Sequence, residues 1–376
     1  SSSQIRIVST DQGVGVRMVG PLLADSQGLV VRSAGDLSVG ELVARQSITL
    51  DAAGNLNMQG ATASGGDLSV HAGGRASVNA ASSVAGSASL SARDSVEILA
   101  PLTAGGRTSV SADQVRLAAG VAASETQIQA RSLVLGDGGR DFQIRGDLNL
   151  TVTGDLVTPG AVTVSGNTRL AASGSVGLGG DVTVGGNLSV DAVADIRAGG
   201  QLSAGGLMRL HAGQTLDVVG GVSAGALDLV AGRAVFGGDV MVAGDGAIVA
   251  GSLVLPARVA AGANLRIDTA GDLVSSGWVV ANGDLSLGAG GRLALAESGA
   301  GGRAEVTARG GALSINSPFV AGRTVQLAGR DGVGTGVVQS GGDLGIASSG
   351  GAVTTGALFA PGAVAVSAAQ GLHVAG

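Results

Sequence analysis

The sequence predicts an all-β protein, a parallel β-helix (solenoid) in which about 18 to 19 coils of about 20 residues stack on one another. Three observations predict it. Apolar–polar–apolar runs recur with one period, turns of Gly with Asp or Asn separate them, and aromatic residues are nearly absent. The 376 residues include 69 Gly, four Phe, one Trp and no Tyr or Cys. A core without rings must be filled by Val, Leu, Ile and Ala, which favours a thin, repetitive interior.

The period is read from the last apolar residue of each run. Successive markers lie 18 to 22 residues apart, and most gaps are 19 or 20. One spacing held over so long a stretch is typical of a solenoid and not of separate globular domains. The markers are Val31, Leu50, Val70, Leu90, Val110, Ile128, Leu150, Leu170, Val190, Leu210, Leu229, Ile248, Ile267, Leu287, Val306, Leu327, Ile346 and Val366.

Each repeat holds more than one strand. A second apolar run follows the marker, as at Leu293-Ala294-Leu295 after Leu287, and a weaker third apolar position often follows that, as at Val279. Strands this short alternate between a buried and an exposed side. One coil cannot bury its apolar face alone, so coils must stack and pair their backbones with the coils above and below. The crossover rule for parallel strands predicts a right-handed coil.

Turn residues form a column of their own three residues before the marker. Asp and Asn side chains bind nearby backbone groups in turns, so we interpret this column as capping local backbone. The alternative is a calcium ladder, which the charges of Arg107 and Arg303 oppose. The column reads Asp67, Arg107, Asp147, Asn167, Asn187, Asn264, Asp284, Arg303 and Asp343.

Regular repeats begin near Leu29. We therefore predict irregular first coils over residues 1–28 and regular β-helix repeats over residues 29–376. The two parts are expected to form one continuous solenoid, and the chain is expected to be a fragment of a longer protein.

Two repeat units show the pattern fully, and they are Ser47-Ile48-Thr49-Leu50-Asp51-Ala52-Ala53-Gly54-Asn55-Leu56 and Gly66-Asp67-Leu68-Ser69-Val70-His71-Ala72-Gly73-Gly74-Arg75. These units resemble the repeats of filamentous haemagglutinin and of related exoproteins of two-partner secretion. The resemblance covers the chain from about Leu29 onward. It implies a right-handed β-helical shaft, exported by an outer-membrane secretion partner and displayed as an adhesin or as the stalk of a toxin. The family's Asn-Pro-Asn secretion motif does not occur in this sequence.

The net charge and the residue types of the chain limit the classes of partner and cofactor that it can bind. All 22 basic residues are Arg and the net charge is −6, which disfavours nucleic acid. Without Cys or Lys there is no thiolate metal site, P-loop or Schiff base, so we predict no cofactor and no metal. The uncharged stretch from Leu344 to Gly376 alternates like strands, and no membrane insertion is predicted. We expect a secreted monomeric rod, with end-to-end stacking as an option, whose partners are host cell-surface receptors or glycans.

The candidate adhesion site is Arg145-Gly146-Asp147, because Arg-Gly-Asp binds integrins in other adhesins. It follows the irregular segment 136–141, where two extra residues predict a bulge or a small exposed loop. The competing interpretation is the ordinary Gly-Asp turn of this chain.

Other polar and aromatic residues are interpreted structurally. The three histidines lie far apart in the sequence, and we predict that they are solvated turn residues. They are His71, His211 and His373. Arg after Gly predicts either a heparin stripe or a mixed surface with the acids. We predict that Trp278 packs at a coil edge, and the alternative is a platform on which a sugar stacks. The other aromatic side chains are predicted to fill the core or the corners, and they are Phe142, Phe236, Phe319 and Phe359.

These observations predict the structural shaft of a secreted bacterial surface adhesin and no enzyme. A contact-dependent toxin stalk shares the architecture and stays open. A β-helix polysaccharide lyase or hydrolase would need long loops around a carboxylate cluster. The even spacing leaves no room for such loops, and Asp and Glu are scattered.

Overall fold

The computed structural model describes residues 5–11, 13–25, 27–136, 141–255 and 258–375. Within these ranges the chain is all strand, without a helix. It forms a parallel β-solenoid of about 18 turns with a spacing of roughly 20 residues. The predicted fold class and period are confirmed. Their physical basis is that each coil supplies strands too short to be stable alone, which neighbouring coils complete on both sides.

The chain divides into two compact units, Ser1–Ala192 and Val193–Gly376. The described strands of the first unit are β1 (Ile5–Ser9), β2 (Val16–Arg17), β3 (Leu22–Ala24), β4 (Leu29–Ser33), β5 (Leu37–Val39), β6 (Leu42–Ala44), β7 (Ile48–Ala52), β8 (Leu56–Met58), β9 (Thr62–Ser64), β10 (Leu68–Ala72), β11 (Arg75–Val78), β12 (Ser82–Val84), β13 (Ala88–Ala92), β14 (Ser95–Ile98), β15 (Leu102–Ala104), β16 (Arg107–Leu117), β17 (Val121–Leu135), β18 (Phe142–Val152), β19 (Leu156–Thr158), β20 (Val162–Val164), β21 (Thr168–Ala172), β22 (Val176–Leu178), β23 (Val182–Val184) and β24 (Leu188–Ala192).

The second unit is built in the same way. Its described strands are β25 (Ile196–Ala198), β26 (Leu202–Val218), β27 (Val222–Phe236), β28 (Val240–Val242), β29 (Gly246–Leu255), β30 (Val259–Ala261), β31 (Leu265–Thr269), β32 (Leu273–Ala281), β33 (Leu285–Ala289), β34 (Leu293–Ala300), β35 (Ala304–Ala308), β36 (Leu313–Ile315), β37 (Phe319–Ala321), β38 (Val325–Gly329), β39 (Val333–Thr335), β40 (Val338–Ser340), β41 (Leu344–Ser348), β42 (Val353–Thr355), β43 (Leu358–Phe359), β44 (Val364–Ala368) and β45 (Leu372–Val374).

One coil shows how the sequence makes the fold. Strands β7, β8 and β9 form three faces, and each pairs in parallel with the strand of the same face in the next coil. Along β7 the side chains of Ile48, Leu50 and Ala52 are buried, while Thr49 and Asp51 lie on the outer side. The period-2 alternation therefore places one side of such a strand in an aliphatic core.

Corners are closed by small residues. A Cβ atom added to Gly73 would lie 2.0 Å from the carbonyl oxygen of Ala53 in the preceding coil, so only Gly permits this approach of two backbones. Inside another corner, the buried Ser64 hydroxyl donates to the carbonyl oxygens of Gln46 and Asp67, each at 3.0 Å. The buried hydroxyl thus finds an acceptor inside the corner, where the Asp67 carbonyl oxygen also accepts the N–H of Ile48 at 2.8 Å.

One stretch of the first unit departs from the even spacing. Arg107 pairs with Glu125, 18 residues later, and Glu125 pairs with Asp147, 22 residues later. The short coil and the long coil cancel, so Leu148 again pairs with Thr168, 20 residues on. Strands β16, β17 and β18 run through corners that are turns in neighbouring coils. Between β17 and β18 the register shifts from Ala122 to Glu125, which is a β-bulge.

Candidate functional site

The outer corners carry most of the polar side chains that the sequence predicted to be important. At one corner of the first unit, the Ser47 hydroxyl accepts the backbone N–H of Asp67 at 3.0 Å. The Asp67 carboxylate then accepts the N–H of Ser87 at 2.8 Å, and the Ser87 hydroxyl accepts the N–H of Arg107 at 3.3 Å. We call such a series, in which each side chain binds the backbone of the next coil, a corner ladder.

Corner ladders recur in both units. In the second unit Asp245, Asn264 and Asp284 accept the N–H groups of the following coils at 2.8–3.0 Å, ending at Arg303. Backbone capping is confirmed for six Asp and Asn members of this column, namely Asp67, Asp147, Asn167, Asn264, Asp284 and Asp343. The predicted local partner is wrong, because the capped N–H belongs to the next coil. Further acceptor and donor pairs are Asp36 with Asn55, Asn55 with Arg75, Asp155 with Ser175, Asp195 with Thr215, Asp239 with Arg258, Asp272 with Arg292 and Asp343 with Ala363.

Arg145-Gly146-Asp147 lies within strand β18. Arg145 is exposed, and Gly146 has φ +100° opposite the bulge of β17. The Asp147 carboxylate accepts the backbone N–H of Asn167 at 2.7 Å, so it is a member of a corner ladder. The bulge that the structure describes lies in the preceding coil, in β17. Residues 137–140 of the segment expected to form a loop lie outside the described residues.

The histidines are exposed, as predicted, but they lie in strands and not in turns. His71 and His211 point outward from β10 and β26, and His373 is exposed in β45. His71 Nδ1 is 3.0 Å from the Ser91 hydroxyl in the next coil. Among the described residues no group of three or more His, Cys, Asp or Glu side chains could hold a metal ion.

The arginines share their surface with acids. Arg107 lies 2.8 Å from the Glu125 carboxylate, and Arg303 lies 3.2 Å from that of Glu305. Both Arg side chains are more than half exposed and Glu125 is partly exposed, so these ion pairs contribute little stability. This geometry favours the mixed surface over a stripe of uncompensated arginines. Arg140, one of the arginines that follow a Gly in the sequence, lies outside the described residues.

A further ion pair was not foreseen. The Arg309 guanidinium reaches back across a whole coil to the Asp268 carboxylate, two coils away. The residue between them is Gly288, and a Cβ atom there would lie 3.0 Å from the Asp268 carboxylate oxygen. The missing side chain therefore opens the path that Arg309 uses.

The rings divide into two groups. Phe142, Phe236 and Phe319 are among the largest fully buried side chains, as predicted. The prediction for Phe359 is wrong, because this ring is 56% exposed on the outer side of β43. Trp278 is 51% exposed at a corner, and the Arg258 guanidinium of the preceding coil lies 5.8 Å from its ring centroid.

With this geometry established, comparison with known families is decisive. A family model described as haemagglutinin repeat matches residues 1–92, 163–220 and 222–300, together more than half of the 376 residues. The chain belongs to the haemagglutinin repeat family. A second model, repeats of unknown function (DUF5649), matches residues 121–181. No curated protein and no solved structure matches.

A match to a repeat family agrees with the repeated coils of the structure. Repeat proteins of this family are typically secreted or displayed at the cell surface as adhesins, in the context of two-partner secretion. The family and the β-solenoid fold point to a structural, non-enzymatic protein. The part of the chain between the first two matched segments contains the short and long coils of β16, β17 and β18. No helix of the described residues is long and apolar enough to cross a membrane.

Proposed function

We propose that this chain is a section of the shaft of a secreted bacterial surface adhesin. The observation that carries the proposal is the corner ladder: polar groups at the outer corners bind the next coil. A cleft enzyme would instead turn such groups toward a common point. We also propose the organisation expected from the sequence, with irregular first coils over residues 1–28 and regular repeats over residues 29–376.

The proposed mechanism is extension combined with many weak contacts. Stacked coils hold adhesive surfaces away from the cell, and several weak contacts to one host or neighbouring cell add through their effective concentration. Host receptors or glycans are the proposed partners of these surfaces, and an outer-membrane protein is the proposed secretion partner. The stalk of a toxin exoprotein would use the same coils.

A receptor contact at Arg145-Gly146-Asp147 is the finer proposal. It is supported by the exposure of Arg145 and by the bulge beside Gly146. It is opposed by the hydrogen bond that the Asp147 carboxylate makes with the next coil. A receptor would therefore have to recognise a tripeptide embedded in a strand and not one at the tip of a loop.

The test is binding of the purified chain to cultured host epithelial cells. Asp147→Glu is the test variant, and Asp67→Glu is its matched control, because Asp67 holds the same ladder position without a preceding Arg-Gly. Saturable binding lost only in Asp147→Glu would establish the tripeptide as a receptor site. Binding lost only on addition of heparin would assign it to the arginines. Absence of binding in every condition would leave this section as spacer.

A further inference from the structure

Asn282-Gly283 is the one Asn-Gly pair in the sequence. It lies at the corner between β32 and β33 in the second unit, and the Asn282 residue is exposed there. Neither the corner ladder nor the proposed adhesive function makes use of the Asn282 side chain, and the pair has a chemistry of its own.

An Asn side chain can be attacked by the backbone nitrogen of the residue that follows it. A new bond forms between that nitrogen and the side-chain carbonyl carbon, the side-chain nitrogen leaves as ammonia, and a five-membered imide remains. Water then opens the imide to aspartate or to isoaspartate, which carries one extra methylene in the backbone. Gly in the following position hinders the attack least, because it has no Cβ and the widest conformational freedom.

The preceding coil holds the backbone around the attacking nitrogen. The N–H of Gly283 donates to the carbonyl oxygen of Ala263 at 2.8 Å, and the N–H of Asn282 donates to that of Ala261 at 3.0 Å. On the next residue, the N–H of Asp284 donates to the side-chain oxygen of Asn264 at 2.8 Å. The attacking nitrogen is therefore bonded to the preceding coil, and the backbone on both sides of it is fixed.

The following coil closes the corner from the other side. The N–H of Gly302 donates to the Gly283 carbonyl oxygen at 2.8 Å. Gly301 packs so closely that a Cβ atom on it would lie 2.0 Å from the Asn282 carbonyl oxygen. The backbone of the following coil thus lies directly against residue 282, and the extra methylene of isoaspartate would change this contact.

We propose that Asn282 is a deamidation site that the stacked coils keep closed. The imide forms only when the corner opens locally and releases the Gly283 nitrogen. Deamidation at Asn282 then reports the opening of this corner, and the Asn264 side chain is one of the contacts that hold it shut.

Deamidation at Asn282 is monitored by mass spectrometry. The purified chain is first incubated either folded in buffer or unfolded in urea. Trypsin cleaves after Arg266 and Arg292, so Asn282 is the one Asn of its peptide. The peptide between Arg169 and Arg197 contains Asn187, which is followed by Leu188 and serves as the slow internal control. Asn264→Ala removes the side-chain acceptor, and Asn264→Asp is the matched variant that keeps one.

We expect deamidation at Asn282 to be at least about tenfold slower in the folded chain than in urea. Asn264→Ala should raise the folded-state rate severalfold, and Asn264→Asp should leave it near the unsubstituted value, with circular dichroism showing that both variants keep their strands. Equal rates in folded and unfolded chains would overturn the proposal. So would an unreactive Asn282 in urea, or an Asn264→Ala rate equal to that of the unsubstituted chain.

Discussion

In two stretches of the first unit the chain turns at the same corner of the coil in different ways. From Ile48 to Ala92 the corner is a turn of three residues, and the Ser47, Asp67 and Ser87 side chains bind the backbone of the next coil. Strands β17 and β18 instead continue through the same corner, where backbone pairing and a bulge join them, and the Asp147 carboxylate of β18 resumes the ladder by binding the Asn167 N–H. A coil can therefore turn on a side-chain acceptor or on its own backbone.

The difference teaches what the solenoid tolerates. A coil two residues shorter than 20 and a coil two residues longer both keep their inward residues in one column, because Val110 pairs with Ile128 and Ile128 pairs with Leu150. The long coil uses special residues, namely a glycine at φ +100° and a buried Phe142 at the start of β18. The haemagglutinin repeat model does not match here, which agrees with a corner built by different rules.

The largest expected effect comes from Phe142, which is 1% exposed and pairs with Val162 in the next coil. Phe142→Ala should lower the free energy of unfolding by about 3–5 kcal/mol, because a large cavity replaces the ring. Val162→Ala, in a coil of ordinary length, should cost only about 2 kcal/mol. Urea denaturation of both variants measures the difference. Equal losses would show that the ring has no special role in the long coil.

A smaller loss is expected at Gly146. Gly146→Ala should cost about 3 kcal/mol, because φ is +100° and the new Cβ would lie 2.0 Å from the Ala123 carbonyl oxygen. Its control is Gly177→Ala, where the nearest atom lies at 3.8 Å and the change should stay within about 0.5 kcal/mol. If the two variants unfold at the same urea concentration, the backbone at Gly146 accepts a side chain without strain and the prediction is wrong.

The corner ladder should give a moderate effect. Asp67→Ala removes the acceptor of the Ser87 N–H and should cost about 1 kcal/mol. Asp67→Asn keeps an acceptor oxygen and should cost less. Hydrogen exchange at the Ser87 amide is the direct readout, and it should quicken in Asp67→Ala alone. Unchanged exchange in that variant would contradict the ladder.

The smallest effect on stability is expected for the ion pair between Arg107 of β16 and Glu125 of β17. Glu125→Gln should cost less than about 1 kcal/mol, because both side chains remain in contact with water. The loss should disappear at high salt, which screens exposed charges. A loss that persists in molar salt would indicate that Glu125 holds the corner through contacts other than charge.

Much of the fold could be predicted from residue type alone. Leu50, Val70 and Leu90 repeat at one spacing and are all buried on the inner side of their strands. Other features could not be predicted in this way. Whether His71 lies in a turn or a strand depends on where the corner begins, and a small shift in that boundary changes the answer. The exposure of Phe359 shows that a large apolar residue is not assigned to the core by its type.

The sequence by itself determined the period, the aliphatic core and the alternation along each strand, because these depend on the order of apolar and polar residues within one coil. Only the tertiary structure decided which backbone group each corner side chain binds, how the short and long coils compensate, and why Arg309 reaches Asp268 over Gly288. The physical reason is that these contacts join different coils. Their partners are set by the register of stacking, which arises from packing the whole core and not from any local run of residues.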